Sequence, residues 1–366
     1  MKILFCGGGT AGHVMPAIAM AEIALCENNG CEVAFVGRNG GNENRSIIKE
    51  GYKLYTLDVM GMSRSISFRS IKAIIKAIKS GRIAKRIISE FSPDIVIGTG
   101  GYVCYPVIRA AQSMNIPTMM HESNVYPGLV TRLLGKGCNT LLLNSEGTKK
   151  YLKRTDNTLV IGNPLRVNFS AISRADARKK LGIKASDFFI VSFGGSLGAE
   201  ILNTRMIELM RDYSAVRKDV RHIHASGVSH YSAIKSQDAN LTRGVNGCKI
   251  LPYIDDMPTY LNAADLVISR SGAMTISELA EVGVASILVP SPNVAENHQY
   301  VNAKYVADLG GALMIEENDL TAEALTAAVE GIRSDPKLAK NLAASVHKLS
   351  RADTADLFIK AINNAI

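Results

Sequence analysis

Short apolar runs, each closed by glycine, proline or a polar turn, recur along the whole chain. In the first half they are Lys2 to Cys6, Val33 to Val36, Asp94 to Ile97, Pro117 to Met120 and Leu141 to Asn144. In the second half they are Phe188 to Phe193, Leu266 to Ile268 and Ser286 to Val289, with Arg221 to His224 and Cys248 to Leu251 reading as further strands. Runs this short and this continuously apolar are strands of a parallel sheet buried on both faces. Helical spacing falls between them, from about Pro16, over Val107 to Ser113, from about Ala199, from about Gln299, and through a tail after about Ser334. Strand and helix alternate twice over, which predicts an α/β chain of two Rossmann-like parallel-sheet domains facing across a cleft. Gly162-Asn163-Pro164 is a turn cluster at mid-chain, so the boundary is expected near 165, with domains 1–165 and 166–345.

The densest site signal runs from Asp265 to Ala303. An apolar run ends in Arg270-Ser271-Gly272, and Thr275-x-x-Glu278 has capping-box spacing ahead of Ile276, Leu279 and Ala280. The next run stops at Pro290-Ser291-Pro292, and a new helix follows a polar loop. Two helix starts at the ends of neighbouring strands suit an anion such as a diphosphate, because first-turn N–H groups point outward there. Glu278, one turn in, is placed to accept two ribose hydroxyls. The pattern also fits an ordinary αβ repeat in which Glu278 only caps its helix.

Gly7-x-Gly9-x-x-Gly12 follows the first strand, with His13 just after it. The spacing matches a dinucleotide fingerprint, but the same loop serves any phosphate or sugar that must approach backbone closely. The second strand ends in Gly37-Arg38 and lacks the acidic residue that holds an NAD ribose, which leaves an NADP oxidoreductase as a competing reading. Gly194-Gly195-Ser196-Leu197-Gly198 repeats the loop at one-domain distance and has no job in that scheme. His121-Glu122-Ser123-Asn124 stands where a strand's C-terminal end carries chemistry, and a buried His–Glu bond tying two loops explains it as well.

Composition bounds the rest. The chain has 366 residues, 47% hydrophobic and 20% charged, which suits two globular domains. No apolar run reaches the ~20 residues that span a bilayer, and the N-terminus is too soon glycine-rich for a signal peptide. Six cysteines without a CxxC pair read as free thiols in a reducing cytoplasm. Residues 1–164 hold 20 Lys and Arg against 11 Asp and Glu, so the whole net charge of +9 sits in the first half. Between Val59 and Ser89 there is no acidic residue; Arg64, Arg69, Lys72, Lys76, Lys79, Arg82, Lys85 and Arg86 accompany an isoleucine stripe at 71, 74, 75 and 78. Such a helix lies on anionic lipid, each basic residue contributing about 1 kcal/mol, with the isoleucines inward and Phe68 among the residues meeting the membrane. A stripe packed inward under a merely solvated basic face is the plainer alternative. Nucleic acid is disfavoured, since aromatics are not interleaved with the charges.

Taken together, GGGTAGH, GTGGYV, HESN, GNPLR, FGGSLGA, YIDDM, SRSGAMTISELA and HQYVNA stand in the order of the MurG family, which the chain closely resembles from Gly7 to about Ala303. The resemblance implies a GT-B fold whose second domain binds UDP-N-acetylglucosamine and whose first meets the acceptor and the membrane. It implies that the last helix, about 346–366, returns to the first domain. It implies transfer of N-acetylglucosamine to the 4-hydroxyl of the muramyl sugar of lipid I, giving lipid II with inversion, at the cytoplasmic face of the membrane. Partners would then be lipid I, an anionic membrane surface, and cell-wall and division proteins. The donor-site residues implied are Thr10, Ala11, Gly12, Asn124, Arg166, Ser196, Ile254, Ala273, Met274, Thr275, Ile276, Ser277, Glu278 and Gln299. In that scheme the Ser196 loop and the 273–275 helix start hold the diphosphate, Ile254 packs beside uracil, and Gln299 reads sugar hydroxyls. His13 is the first candidate base and Glu122 the second. The sequence shows no metal-ligand cluster, so no obligatory metal is expected. Ala11, Ser123 and Tyr105 stand where the family usually has Gly, Gln and Gly, which touches acceptor detail more than the donor. Other GT-B enzymes acting on UDP-sugars, an epimerase among them, and a non-catalytic nucleotide-binding subunit complete the alternatives. The basic first half argues against a soluble epimerase.

Overall fold

The structure, a computed structural model, describes residues 1–41, 44–59 and 68–366, with the side chains of all of these except Ala11 and residues 68–79. The chain divides into two compact units, one of Met1–Arg166 with Arg351–Ile366 and one of Val167–Ser350.

The first unit runs β1 (Lys2–Cys6), α1 (Ala11–Glu27), β2 (Glu32–Arg38), α2 (Asn44–Lys49), β3 (Lys53–Leu57), α3 (Phe68–Phe91), β4 (Ile95–Gly98), α4 (Cys104–Ser113), β5 (Thr118–Glu122), α5 (Leu129–Leu134), β6 (Thr140–Leu143) and β7 (Thr158–Val160). Its parallel sheet has the order β3-β2-β1-β4-β5-β6-β7. β1 alternates strictly between two buried faces. Ile3 and Phe5 pack with α1, through Val14, Ala17, Ile18 and Ala21. Leu4 and Cys6 pack on the opposite face with Ile88 of α3 and Val107 of α4. Both faces being covered explains why β1 is apolar at consecutive positions.

The second unit runs α6 (Arg174–Leu181), β8 (Phe188–Phe193), α7 (Glu200–Leu209), β9 (Val220–Ala225), α8 (Val228–Gln237), α9 (Ala239–Arg243), β10 (Cys248–Leu251), α10 (Met257–Ala263), β11 (Leu266–Ser269), α11 (Ala273–Val282), β12 (Ser286–Leu288), α12 (His298–Asp308), β13 (Leu313–Met314), α13 (Ala322–Ser334) and α14 (Pro336–His347). Its sheet, β10-β9-β8-β11-β12-β13, is also parallel. Each sheet thus reverses direction beside its first strand, which is the Rossmann switch point. The final helix, α15 (Thr354–Ala365), packs Phe358, Ala361 and Ile362 into the same core as α1. The Thr354 hydroxyl donates to the Ile161 carbonyl at 2.6 Å and pins the start of that helix.

Two local expectations are corrected, and two strands that the pattern does not announce are added. α1 begins at Ala11, not near Pro16, and Pro16 lies inside it. Pro16 has no N–H for the Gly12 carbonyl, but Gly12 is exposed in the first turn, where that loss is cheap. Thr275 is not a cap: Gly272 in extended backbone precedes α11, and no side chain caps it. β3 and β7 carry only partly buried residues over much of their length, so they lack a continuous apolar run.

Candidate active site

In the first unit, two loops meet at the switch point between β1 and β4. Gly8 N–H donates to the Gly100 carbonyl at 3.3 Å, and Thr99 N–H donates to the Cys6 carbonyl at 2.9 Å. The approach is closer than any side chain allows. A Cβ on Gly101, whose φ is +82°, would stand 1.9 Å from the Gly8 carbonyl oxygen. The Cys104 thiol donates to the Cys6 and Gly100 carbonyls, both at 3.0 Å, and fixes the second loop from beneath. On this base α1 starts with Thr10 as its N-cap, and the Thr10 side chain makes no capping bond. Thr10 and Gly12 are exposed and His13 is half-buried. His13 Nδ1 lies 3.1 Å from the Thr99 carbonyl. A carbonyl only accepts, so Nδ1 carries the proton and Nε2 bears the lone pair. His298 and His347 also set Nδ1 on a backbone carbonyl, at 2.8 and 2.9 Å, but His13 does so at the mouth of the glycine-rich loop.

Glu122 ends β5 and is buried. One oxygen accepts from Asn124 N–H at 3.0 Å and Asn124 Nδ2 at 3.3 Å; the other accepts from Gly128 N–H at 2.9 Å and the Thr131 hydroxyl at 2.7 Å. Four donors on one carboxylate hold the loop from Ser123 to Gly128 on the sheet and consume the acceptor capacity that a base needs. His121 bonds the Gly162 carbonyl at 3.0 Å, which ties β5 to the Gly-Asn-Pro turn, and burial holds its imidazole below the ordinary histidine range. Arg166, at the end of the unit, is engaged by Glu22 at 2.6 Å and Glu50 at 3.0 Å.

The second unit repeats the geometry between β8 and β11. The loop Gly194 to Gly198 carries Ser196, which is exposed, and α11 opens beside it without a side-chain cap or an acidic residue in its first turn. Ala273, Met274 and Thr275 supply that first turn; Ile276 faces the core, and the Ser277 hydroxyl donates to the Ala273 carbonyl at 3.1 Å. A positive helix end without a carboxylate is built for an anion. Glu278 follows one turn in, and desolvation pushes its carboxyl up to about 7. Burial first, then the charges of Asp255 and Glu278, push the neighbouring Tyr253 phenol up, which places Glu278 beside the segment holding buried Ile254. Gln299 joins the same cluster. Its backbone carbonyl accepts from the Ser271 hydroxyl at 2.8 Å, and its Oε1 accepts from Ser291 N–H at 2.9 Å, so its amide NH2 stays a donor.

Sequence reasoning passed over three features of this unit. Arg270 is buried, donates to the Val289 and Pro290 carbonyls at 3.2 Å each, and pairs with Glu317, fixing the loop that leads to Gln299. Glu296 and Asn297 are consecutive residues in left-handed backbone just before α12, a strain that accumulates at ligand loops. A buried histidine pair stands behind the Ser196 loop. Arg270 was visible as a charge inside an apolar context; the other two had no sequence signal.

Of the basic segment, Arg64 lies outside the described residues. α3 covers Phe68, Arg69, Lys72, Lys76 and Lys79, whose side chains also lie outside them. In the described part of α3, Ala84, Ile87, Ile88 and Phe91 are buried while Arg82, Lys85 and Arg86 are exposed. Among the described residues no cluster of three or more His, Cys, Asp or Glu side chains has metal-binding spacing.

Residues 3–142 match the glycosyltransferase family 28 N-terminal domain, and residues 189–358 match the family 28 C-terminal domain. The chain is 37% identical over 365 residues to a protein of Thermoanaerobacter sp. (strain X514), with 100% of both chains covered. That protein is named UDP-N-acetylglucosamine--N-acetylmuramyl-(pentapeptide) pyrophosphoryl-undecaprenol N-acetylglucosamine transferase. A protein of Caldanaerobacter subterraneus with the same name is 38% identical over 359 residues, covering 97% of each chain. Among solved structures, MurG of Acinetobacter baumannii superposes with a TM-score of 0.81 at 27% identity, covering 99% of each chain. A UDP-GlcNAc 2-epimerase of Neisseria meningitidis bound to UDP-GlcNAc shares the fold alone, with a TM-score of 0.65 at 14% identity over 100% of both chains. Two parallel Rossmann-like sheets, a glycine-rich mouth on each, and end-to-end identity to these transferases lead to one conclusion: the chain is a GT-B glycosyltransferase of family 28 and belongs to its MurG family.

Proposed function

We propose that this protein transfers N-acetylglucosamine from UDP-N-acetylglucosamine to the 4-hydroxyl of the muramyl sugar of lipid I, with inversion at the anomeric carbon, giving lipid II. The observation that carries this reading is the 37% identity over the full length of relatives bearing that activity in their name. The likeness to 2-epimerases is at 11–14% identity and speaks to fold only.

The geometry supports a division of labour. The second unit holds the donor. The first turn of α11 and the Ser196 loop offer N–H groups to the diphosphate, whose leaving charge is stabilised without reorganisation. Glu278 takes the ribose hydroxyls, Ile254 flanks the uracil, and the Gln299 amide donates to the sugar. The first unit receives the acceptor. His13 Nε2 takes the proton of the 4-hydroxyl as the oxygen attacks, and the Thr99 carbonyl stabilises the imidazolium that forms. Glu122 positions Asn124 and leaves the base role to His13. Thr10, Ala11 and Gly12 shape the mouth in which this happens. Arg166 meets the donor only by leaving Glu22 and Glu50.

The acceptor is lipid-linked, and the reading places the protein peripherally on the cytoplasmic face of an anionic membrane. Among the described residues no helix is long and apolar enough to cross a membrane. The basic charge concentrated in the first half, including the exposed Arg82, Lys85 and Arg86, supports surface contact.

The test is UDP release from UDP-N-acetylglucosamine with and without a short-chain lipid I analogue. Analogue-dependent release with a disaccharide product is the expected result. Release of UDP with 2-epimerised free sugar, or UDP binding without release, overturns it.

A further inference from the structure

Behind the Ser196 loop lies a chain of polar side chains with no contact to solvent. Ser192 of β8, His222 and His224 of β9, and Ser214 just after α7 are all fully buried, and Asn203 in the first turn of α7 is nearly so. Ser214 Oγ lies 3.1 Å from His222 Nδ1, His222 Nε2 lies 2.8 Å from Ser192 Oγ, Ser192 Oγ lies 2.8 Å from His224 Nδ1, and His224 Nε2 lies 3.0 Å from Asn203 Oδ1. Asn203 Nδ2 donates to the Ser226 carbonyl at 2.9 Å.

The proton positions in this chain follow from its last link. The Ser226 carbonyl only accepts, so the Asn203 amide NH2 must face it and Oδ1 must face His224. His224 therefore carries its proton on Nε2 and accepts at Nδ1 from the Ser192 hydroxyl. Ser192 in turn accepts from His222 Nε2–H, and His222 Nδ1 accepts from Ser214. Every link has one donor and one acceptor. Flipping the Asn203 amide would set oxygen against oxygen at Ser226. Both imidazoles are neutral in this pattern, in keeping with burial, which holds His224 at about 4 and His222 well below the histidine range.

The Ser226 carbonyl is not an idle acceptor. It is the surface against which the glycine loop is pressed: a Cβ on Gly198, whose φ is +77°, would fall 2.1 Å from that oxygen. The Ser229 hydroxyl then donates to the Leu197 carbonyl at 2.9 Å on the same side. Asn203 thus ties the first turn of α7 to the peptide that backs the loop. We propose that Asn203 is a positioning residue for the donor diphosphate, setting the shape of the Gly194 to Gly198 loop through the Ser226 carbonyl, with His224 holding the other end of the amide. The inference rests on the donor-site reading above.

The experiment is UDP titration of the full chain by calorimetry, with melting temperature recorded for each variant. Asn203→Asp keeps the acceptor for His224 but sets a carboxylate oxygen against the Ser226 carbonyl. It weakens UDP binding by about tenfold, the scale of one buried hydrogen bond turned repulsive, and raises KM for the donor with little change in kcat. Ser214→Ala breaks the far end of the chain, lowers the melting temperature and leaves UDP affinity unchanged. In ¹⁵N spectra, His224 shows the Nε2–H tautomer, and UDP shifts its resonances more than those of His222. Asn203→Ala carries the same expectation should the aspartate variant not fold. Wild-type protein that does not bind UDP overturns the donor reading and this inference with it. Wild-type protein that binds while both Asn203 variants bind equally well overturns the inference alone. So does a loss of affinity in Ser214→Ala that tracks its loss of melting temperature.

Discussion

At His13 the chemistry depends on which nitrogen the backbone occupies. The Thr99 carbonyl takes Nδ1–H, and the lone pair is left on Nε2. In the role proposed for it His13 is the base, so in His13→Ala turnover with the lipid I analogue falls by at least about 10²-fold while UDP affinity stays within about threefold. A fall of less than about tenfold moves the base elsewhere. Glu278 makes a second residue-scale prediction. Its folded carboxyl titrates near 7, above the ordinary 4.5, so the native state binds more protons than the unfolded chain between those values. Stability from this residue is complete below about 4.5 and is lost as pH rises through 7, by up to about 3 kcal/mol. Glu278→Gln therefore unfolds at higher denaturant than the native protein at pH 8, equals it near pH 4, and binds UDP more weakly. Equal denaturation midpoints at pH 8 refute the raised carboxyl. The identity and spacing of both residues were legible in the chain. The tautomer of one and the desolvation of the other came from neighbours far away in sequence, Thr99 among them.

At the scale of elements, the glycine loops are fixed by backbone packing. Gly101 backs onto the Gly8 carbonyl with a left-handed φ, so Gly101→Ala both strains the chain and forces the two loops apart. It lowers stability by about 2–3 kcal/mol and abolishes most turnover. Gly81 is the matched control. It lies inside α3 with nothing within 4 Å of a Cβ, and Gly81→Ala raises stability by about 0.5–1 kcal/mol. Chemical denaturation of both variants checks the pair, and equal effects contradict the packing argument. Central strands such as β1 and β8 were legible to the residue, because two covered faces demand a nearly unbroken apolar run. Helix starts were less so. Pro16 suggested a first turn, yet α1 begins five positions earlier, since the loop pinned to Thr99 and Gly100 decides where the helix leaves the sheet.

Across the whole molecule, the two buried histidines give the second unit an acid limit. His224 is held at about 4 and is neutral in the fold, whereas an unfolded chain protonates it near 6.5. The stability it carries is present above about 6.5 and is lost as pH falls through 4, about 3 kcal/mol from this residue, and His222, also held low by burial, adds to the loss. On acidification from pH 7 to 4, hydrogen-exchange protection factors in β8 and β9 fall before those in β1 and β4; a uniform fall contradicts the assignment. This limit opposes the alkaline cost of Glu278, so the second unit is most stable between the two. The sequence by itself determined the α/β alternation, the two glycine-rich mouths, the concentration of positive charge in the first half and the family, because each is a local pattern or a short motif. Only the tertiary structure decided which polar side chains are partnered. Glu122 holds a loop, Arg166 pairs with Glu22 and Glu50, and Asn203 bonds His224 and the Ser226 carbonyl, because hydrogen bonding and desolvation depend on residues that the fold brings together from distant parts of the chain.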